Sequence, residues 1–198
     1  MNCTTPANYF HALRRQIHRD FRKPLVIMTP KSLLRNRLCV SNLEDFSKKN
    51  SFHRVLWDHA IDPKENSFIE LKKSNKIRKV ILCSGKVYFD LLEAREKLKT
   101  DDVVIYRIEQ LYPFPIKSLV KEIKVYRKNA KFYWCQEEPK NMGAWFSVRD
   151  YIQWTLGYIG ANNREISYIG RSPAASPATG YAKRHIAQQK EIIENVFN

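Results

Sequence analysis

The sequence predicts an α/β domain with a mostly parallel, doubly wound sheet, preceded by the terminal helix and strand of a separate domain. Four short apolar runs alternate with stretches of helical periodicity through residues 77–198, and helical crossovers make successive strands parallel. The runs are unbroken rather than alternating, which is typical of strands buried on both faces of a sheet.

Residues 1–30 predict one helix and one strand. Thr5 followed by Pro6 favours a helix start, because a hydroxyl caps the helix and proline suits its first turn. The helix should run to about residue 20, and its apolar face is formed by Tyr9, Phe10, Leu13 and Ile17. A strand is predicted over residues 25–29. One helix and one strand do not make a domain, so we expect a C-terminal piece of a longer polypeptide.

Residues 31–76 are polar and irregular, with short helical patterns at 43–46 and 52–57 and a charged stretch at 62–66. We interpret them as a linker that packs on the domains. Residues 77–198 then predict strands over 79–84, 102–108, 131–136 and 165–169. Helices are predicted between these strands and at the end of the chain, over 87–98, 116–123, 145–158 and 185–196.

The chain is strongly basic, with 35 Lys and Arg against 20 Asp and Glu among 198 residues, a net charge of +15. Residues 1–40 alone carry a net +7. This charge suits an anionic partner: nucleic acid, the phosphates of a small ligand or an acidic protein. A hydrophobic content of 43% excludes a disordered polycation, and the longest aliphatic run, residues 25–28, is far too short for a membrane helix.

The four cysteines form no C-x-x-C pair, and no histidine lies at metal-ligand spacing from them. Cys83 and Cys135 lie inside apolar runs, so we interpret them as small buried apolar residues in a reducing compartment. The first residues show no signal-peptide pattern, and we expect an intracellular protein.

Three motifs follow predicted strands and are candidate sites. Ser84, Gly85 and Lys86 join a strand to a helix, where phosphates bind in open α/β sheets. The Walker spacing is absent, and a plain strand-to-helix turn is the alternative.

Gln136, Glu137 and Glu138 follow the third strand, and Asn141 lies in the loop after them. Paired carboxylates are used in acid–base chemistry or metal binding. Adjacent carboxylates in an extended segment point to opposite sides, however, so one of them capping the next segment and the other pairing with a basic residue is the alternative.

Arg171 opens a loop of small, hydroxyl and proline residues that includes Ser176 and ends at Gly180. The loop suits either anion binding or a rigid contact with a partner subunit, and both interpretations stay open at this point.

Several strings of the chain together resemble one family. They are residues 14–16, 22–26, 29–35, 83–88, 107–113, 134–139, 143–145, 170–171 and 174–177, with Asn141. In this order they are similar to the C-terminal end of the dehydrogenase subunits of 2-oxoglutarate dehydrogenase complexes. The relatives that act on 2-oxoadipate are the alternative within the family.

The resemblance implies a transketolase-like C-terminal domain over residues 77–198, preceded by the end of a pyrimidine-binding domain at 1–30. The full subunit is expected to be a homodimer that uses thiamine diphosphate and Mg²⁺. It would decarboxylate 2-oxoglutarate in the tricarboxylic acid cycle and pass the succinyl group to the lipoyl arm of the acyltransferase subunit. The family's catalytic histidines lie upstream of this chain, so it implies no catalytic, cofactor-binding or metal-binding residue here.

We therefore expect the isolated chain to be inactive and to support dimerisation. Some members bind a nucleotide or acyl-CoA effector between the second and third domains, and the residues that match or lie near that region are Arg15, Lys49, Arg54, Gln110 and Lys117. A free-standing module that binds a phosphorylated ligand, and a nucleic-acid-binding protein, are the alternative functions. The resemblance implies the cytoplasm in a bacterium and the mitochondrial matrix in a eukaryote.

Overall fold

The structure is a computed structural model that describes residues 1–61 and 69–198. The chain divides into two compact units, Met1–Arg54 and Val55–Asn198. The charged stretch at residues 62–66 lies outside the described residues. The division into segments 1–30, 31–76 and 77–198 stays a prediction.

Five strands of the second unit form one sheet in the order β1-β3-β2-β4-β5. The strands are β1 (Val55–Leu56), β2 (Lys79–Cys83), β3 (Val103–Ile108), β4 (Lys131–Pro139) and β5 (Ile166–Arg171). β2 is parallel to β3 and β4, and β4 is parallel to β5, whereas β1 is antiparallel to β3. The predicted mostly parallel sheet is confirmed.

The described residues form five α-helices, α1 (Pro6–His18), α2 (Val87–Leu98), α3 (Ile116–Ile123), α4 (Trp145–Tyr158) and α5 (Ala182–Phe197). In the second unit α2 contacts α5, and α3 contacts α4. The two pairs cover opposite faces of the sheet, which gives the doubly wound arrangement.

The core of the second unit lies on both faces of the sheet. Alternate strand residues such as Val80, Leu82 and Trp134 cluster with α3 and α4. On the other face, Ile81, Cys83 and Cys135 are also fully buried. As predicted, both cysteines are buried, and burial raises the pKa of the Cys83 thiol to about 12.

Helix α1 of the first unit begins as predicted, because the Thr5 hydroxyl accepts a hydrogen bond from the Asn8 amide at 3.2 Å. Its predicted apolar face is wrong. The buried residues are Ala7, Asn8, His11 and Ala12, whereas the predicted face is largely exposed, with Ile17 at 76%.

The reason is that polar side chains of α1 bind the backbone of the segment that follows it in the unit. Asn8 exchanges two hydrogen bonds with the backbone of His53, at 2.9 and 2.8 Å. The His11 Nε2 lies 2.7 Å from the Asp45 carbonyl oxygen. These bonds decide which face of the helix is covered.

Two short segments also differ from the expectation. Residues 52–57 are not helical, because Val55 and Leu56 are buried and pair with Ile108 and Arg107 at the free edge of β3. Residues 25–29 are not assigned to a strand. The backbone hydrogen bonds described for this segment join Val26 and Met28 to Met1, each at 2.8 Å. A strand needs a longer neighbouring segment than this single residue.

Candidate functional site

The three strand-end motifs lie at one edge of the second unit. Strands β2, β4 and β5 are adjacent and parallel, so Ser84, Gln136 and Arg171 end up at the same carboxyl edge. Ligands bind at this edge in open α/β sheets.

The turn after β2 places Lys86 against carboxylates. Gly85 adopts a φ of 79°, a left-handed conformation that glycine tolerates without strain, and half-buried Ser84 precedes it. The Lys86 ammonium forms an ion pair with Glu137 and lies 4.0 Å from an Asp90 oxygen. Its charge is therefore balanced within the protein.

The same ammonium begins a polar network along the edge. The other members follow in space: Gln189 donates to Asp90 at 2.8 Å, and Arg171 donates to Gln189 at 3.1 Å. Burial raises the pKa of the Asp90 carboxyl, and the charge of Lys86 offsets part of that rise. The network holds α2, β4, β5 and α5 in one geometry.

Strand β4 runs three residues beyond the predicted end, so Gln136, Glu137 and Glu138 lie within it rather than after it. Gln136 is 2% exposed and is the central polar residue for the loop that follows. Its Oε1 accepts hydrogen bonds from the Trp134 indole and from the Ala144 and Trp145 amides, at 2.9 to 3.2 Å. Its Nε2 donates to the carbonyls of Glu138, Pro139 and Met142. The amide therefore fixes the loop and satisfies free N–H groups at the start of α4.

Gly143 packs so closely against Gln136 that a side chain there would collide with it. Its φ is +66°, and a Cβ there would lie 2.8 Å from Gln136 Nε2. Asn141, two residues earlier, exchanges hydrogen bonds of 2.9 and 3.0 Å with the backbone of Ala174. The loop after β4 is thereby tied to the loop after β5.

The two adjacent glutamates have separate surroundings. Glu137 is half-buried and pairs with Lys86, whereas Glu138 is exposed and uses its backbone carbonyl to accept from Gln136 and Tyr168. This placement supports the interpretation in which one carboxylate, that of Glu137, pairs with a basic side chain. It does not support two glutamates that share a proton or a metal ion.

Arg171 ends β5 and is 9% exposed. Its NH2 nitrogen hydrogen-bonds to His185 Nδ1 and Gln189 Oε1, both at 3.1 Å. Ser176 is exposed in the following loop and donates to the Ala178 carbonyl at 3.3 Å. This loop lines a cavity of about 180 Å³ at the start of α5.

The first unit contains a separate group of arginines around Arg15. The Arg15 guanidinium lies 4.2 Å from the centre of the Phe52 ring. Burial lowers the pKa of Arg15, and the charges of Arg19 and Arg54 lower it further. An anion near these arginines would relieve their mutual repulsion.

The remaining effector candidates are divided between the units. Lys49 is exposed in the first unit. In the second unit Gln110 donates to the Pro113 carbonyl at 2.8 Å, and Lys117 is exposed on α3. The structure brings Arg15 and Arg54 together within one unit.

Sequence reasoning missed a buried ion pair in the second unit. Asp58 and Arg95 are both 0% exposed, and Arg95 NH2 donates to Asp58 at 2.7 Å. Asp58 also accepts from the Ile105 and Ala60 amides. Burial disfavours the charged guanidinium, but Asp58 outweighs burial and raises the pKa of Arg95. The sequence signal for this ion pair was an arginine on the apolar face of α2, at helical spacing from Leu91 and Leu92.

Within residues 1–61 and 69–198, no three or more His, Cys, Asp and Glu side chains form a group that could hold a metal ion. Over the same ranges, the structure contains no helix with the length and apolar content needed to span a membrane.

Two protein families match consecutive parts of the chain. The transketolase pyrimidine binding domain family matches residues 1–37, and the family described as 2-oxoglutarate dehydrogenase C-terminal matches residues 40–197. The chain is 56% identical to the 2-oxoglutarate dehydrogenase E1 component of Brucella anthropi over 196 residues, which cover 99% of this chain and 19% of the relative.

The corresponding proteins of Brucella ovis and Brucella canis are 55% identical with the same coverage. The chain thus spans about a fifth of the length of the curated relatives it matches. Since the match at residues 40–197 covers well over half of the sequence, the chain belongs to the 2-oxoglutarate dehydrogenase C-terminal family.

Proposed function

We propose that the chain serves as the C-terminal portion of a 2-oxoglutarate dehydrogenase E1 subunit. The identity of 56% over nearly the whole chain carries this proposal. The complete subunit would use thiamine diphosphate and Mg²⁺ to decarboxylate 2-oxoglutarate, and would transfer the succinyl group to the lipoyl arm of the acyltransferase subunit.

The residues of this chain support that reaction by maintaining the structure of the subunit, not by taking part in the chemistry. The described part holds no group of side chains suited to Mg²⁺, and the polar groups at the carboxyl edge are engaged with one another. We assign no step of the reaction to these residues. Their proposed role is to shape the C-terminal domain and to support assembly of the homodimer.

A chimera tests this proposal. The matching segment of the Brucella anthropi subunit would be replaced by this chain, and 2-oxoglutarate-dependent NADH formation would be measured in the reconstituted complex. We expect activity from the chimera and none from the same subunit with the segment deleted. A folded, dimeric chimera without activity would contradict the proposed function.

Two further measurements complete that experiment. The isolated 198 residues should show no thiamine diphosphate turnover, and turnover would overturn the inactive-alone proposal. Assaying the chimera with 2-oxoadipate as well as 2-oxoglutarate would decide between the two substrates.

A second part of the proposal concerns a phosphorylated effector, a nucleotide or an acyl-CoA. The support comes from Arg15, whose pKa is lowered by burial and by the neighbouring charges of Arg19 and Arg54. Arginines suit phosphates because their planar donors form paired hydrogen bonds. Lys49 of the same unit is a further candidate for this site, and Gln110 and Lys117 are candidates that the resemblance adds from the second unit.

Calorimetric titration with AMP and with acetyl-CoA tests the effector site. We expect one of them to bind the chain and to bind Arg15→Ala at least tenfold more weakly. Arg22→Ala is the matched control, because Arg22 is an exposed arginine of the same unit that hydrogen-bonds to the Arg19 carbonyl. Absence of heat with both ligands, or equal loss in both variants, would refute the site.

A further inference from the structure

We propose that the loop between β5 and α5 forms a pocket for a single phosphate group of a small phosphorylated ligand. The cavity of about 180 Å³ lies entirely within the second unit. The lining residues that could contact a ligand through polar groups are Arg171, Ser172, Ser176, Thr179, Arg184 and Gln188.

The first support comes from Arg171, which lines the cavity and is nine-tenths buried. Its NH2 nitrogen hydrogen-bonds to His185 and Gln189, neither of which is a carboxylate. Its buried Nε has no hydrogen-bond partner among the described residues. A buried charge without a counter-ion is costly, and an anion in the cavity would supply the opposite charge.

The second support comes from the start of helix α5. A helix N-terminus presents free N–H groups and a partial positive charge, and acidic side chains usually stabilise it. Here no acidic residue lies in the first turn, and Tyr181 at the cap provides no side-chain hydrogen bond. Lys183 and Arg184 in that turn add positive charge, so an anion is the missing complement.

The charge of the cavity wall favours phosphate over carboxylate. Arg171 and Arg184 line the cavity and, among the described residues, no carboxylate does, so a phosphate, which carries up to two negative charges, is attracted more strongly than a singly charged carboxylate. Pockets for drug-sized ligands are about 300–1,000 Å³. The smaller cavity therefore fits the phosphate group and leaves the rest of the ligand outside.

The loop is held in shape without a ligand. Asn141 fixes Ala174 by two hydrogen bonds, and Thr179 donates to Gln188 of α5 at 2.9 Å. Pro173 and Pro177 restrict the backbone between these points. A pocket that is already ordered loses little conformational entropy when it binds.

The test uses the full chain and follows backbone amides by NMR at constant ionic strength. Phenyl phosphate and inorganic phosphate are the probes, and benzoate is the carboxylate analogue. We expect both phosphates to shift the amides of residues 172–184 in a saturable manner, and benzoate to bind at least tenfold more weakly than phenyl phosphate. Benzoate binding as well as or better than phenyl phosphate would overturn the assignment to phosphate.

Arg184→Ala is the main variant, because this exposed side chain can be removed without disturbing the core. We expect it to weaken phenyl phosphate binding at least tenfold, whereas Arg164→Ala, which removes an equally exposed arginine elsewhere in the second unit, should bind as the native chain does. No saturable shift, or an equal effect of both variants, would overturn the proposal. Arg171→Lys, checked for folding by its amide spectrum, should also weaken binding.

Discussion

At the scale of single residues, the carboxyl edge of the sheet depends on one neutral side chain. Gln136 satisfies donors on one side and acceptors on the other, and so it determines the path of the whole loop after β4. An amide has both an acceptor oxygen and a donor nitrogen, whereas an ionised glutamate can only accept hydrogen bonds. The residue that organises this motif is therefore not one of its carboxylates.

Gly143 allows a test of this organisation. Gly143 and Gly160 share a φ of +66°, but only a Cβ at Gly143 would meet Gln136, whereas nothing lies within 4 Å at Gly160. We expect Gly160→Ala to cost about 1 kcal/mol of unfolding free energy, from backbone strain alone. Gly143→Ala should cost about 2–4 kcal/mol, because overpacking adds to that strain.

Urea unfolding followed by circular dichroism would measure both variants. Gly157→Ala is the control, because this helical position is also open within 4 Å and has no positive φ. It should be neutral or slightly stabilising. Equal losses for Gly143→Ala and Gly160→Ala would show that Gln136 does not constrain the loop.

At the scale of elements, β3 and α2 are joined by charge as well as by apolar packing. Asp58 accepts from the Ile105 amide of β3 and pairs with Arg95 of α2. Both side chains are inaccessible to solvent. A buried pair of this kind fixes relative position, and its cost appears when one partner is removed.

We expect Asp58→Asn to lower the unfolding free energy by about 3 kcal/mol, because it leaves the buried Arg95 charge with only the more distant Glu96 carboxylate, 3.8 Å away. The double variant Asp58→Asn with Arg95→Met should recover a large part of that loss. Thermal or urea unfolding of four proteins, the native chain, Asp58→Asn, Arg95→Met and the double variant, gives the comparison. A double variant that is as unstable as the sum of separate losses would contradict a charge-pairing role.

At the scale of the whole molecule, the two units differ in the size of their apolar cores. The main apolar cluster is built entirely from residues of Val55–Asn198. In Met1–Arg54 the buried apolar residues are few, namely Cys3, Ala7, Ala12 and Leu33. Small domains bury a smaller fraction of their surface and are correspondingly marginal.

We therefore expect residues 55–198 to fold alone with a cooperative unfolding transition, and residues 1–54 not to do so. Circular dichroism and amide NMR dispersion of the two pieces would show this. A collapsed but non-cooperative 55–198 piece would contradict the prediction. The intact chain, measured in the same buffer, is the reference for helix content and transition midpoint.

The sequence alone determined the order of strands and helices from β2 onward, because an unbroken apolar run followed by helical periodicity is a local property; it missed β1. It also carried the family, through strings such as residues 83–88 and 134–139. It located the ends of β2 and β5 to within two residues, whereas β4 runs three residues beyond its predicted end.

Only the tertiary structure decided what those motifs contact. That Lys86 meets Glu137, that Gln136 holds the start of α4, and that Asp58 pairs with Arg95 depend on residues far apart in the chain. The covered face of α1 was mispredicted for the same reason, since Asn8 and His11 bind backbone groups of a distant segment. The periodicity of a sequence shows which side chains are apolar, whereas their burial depends on which other surface packs against them.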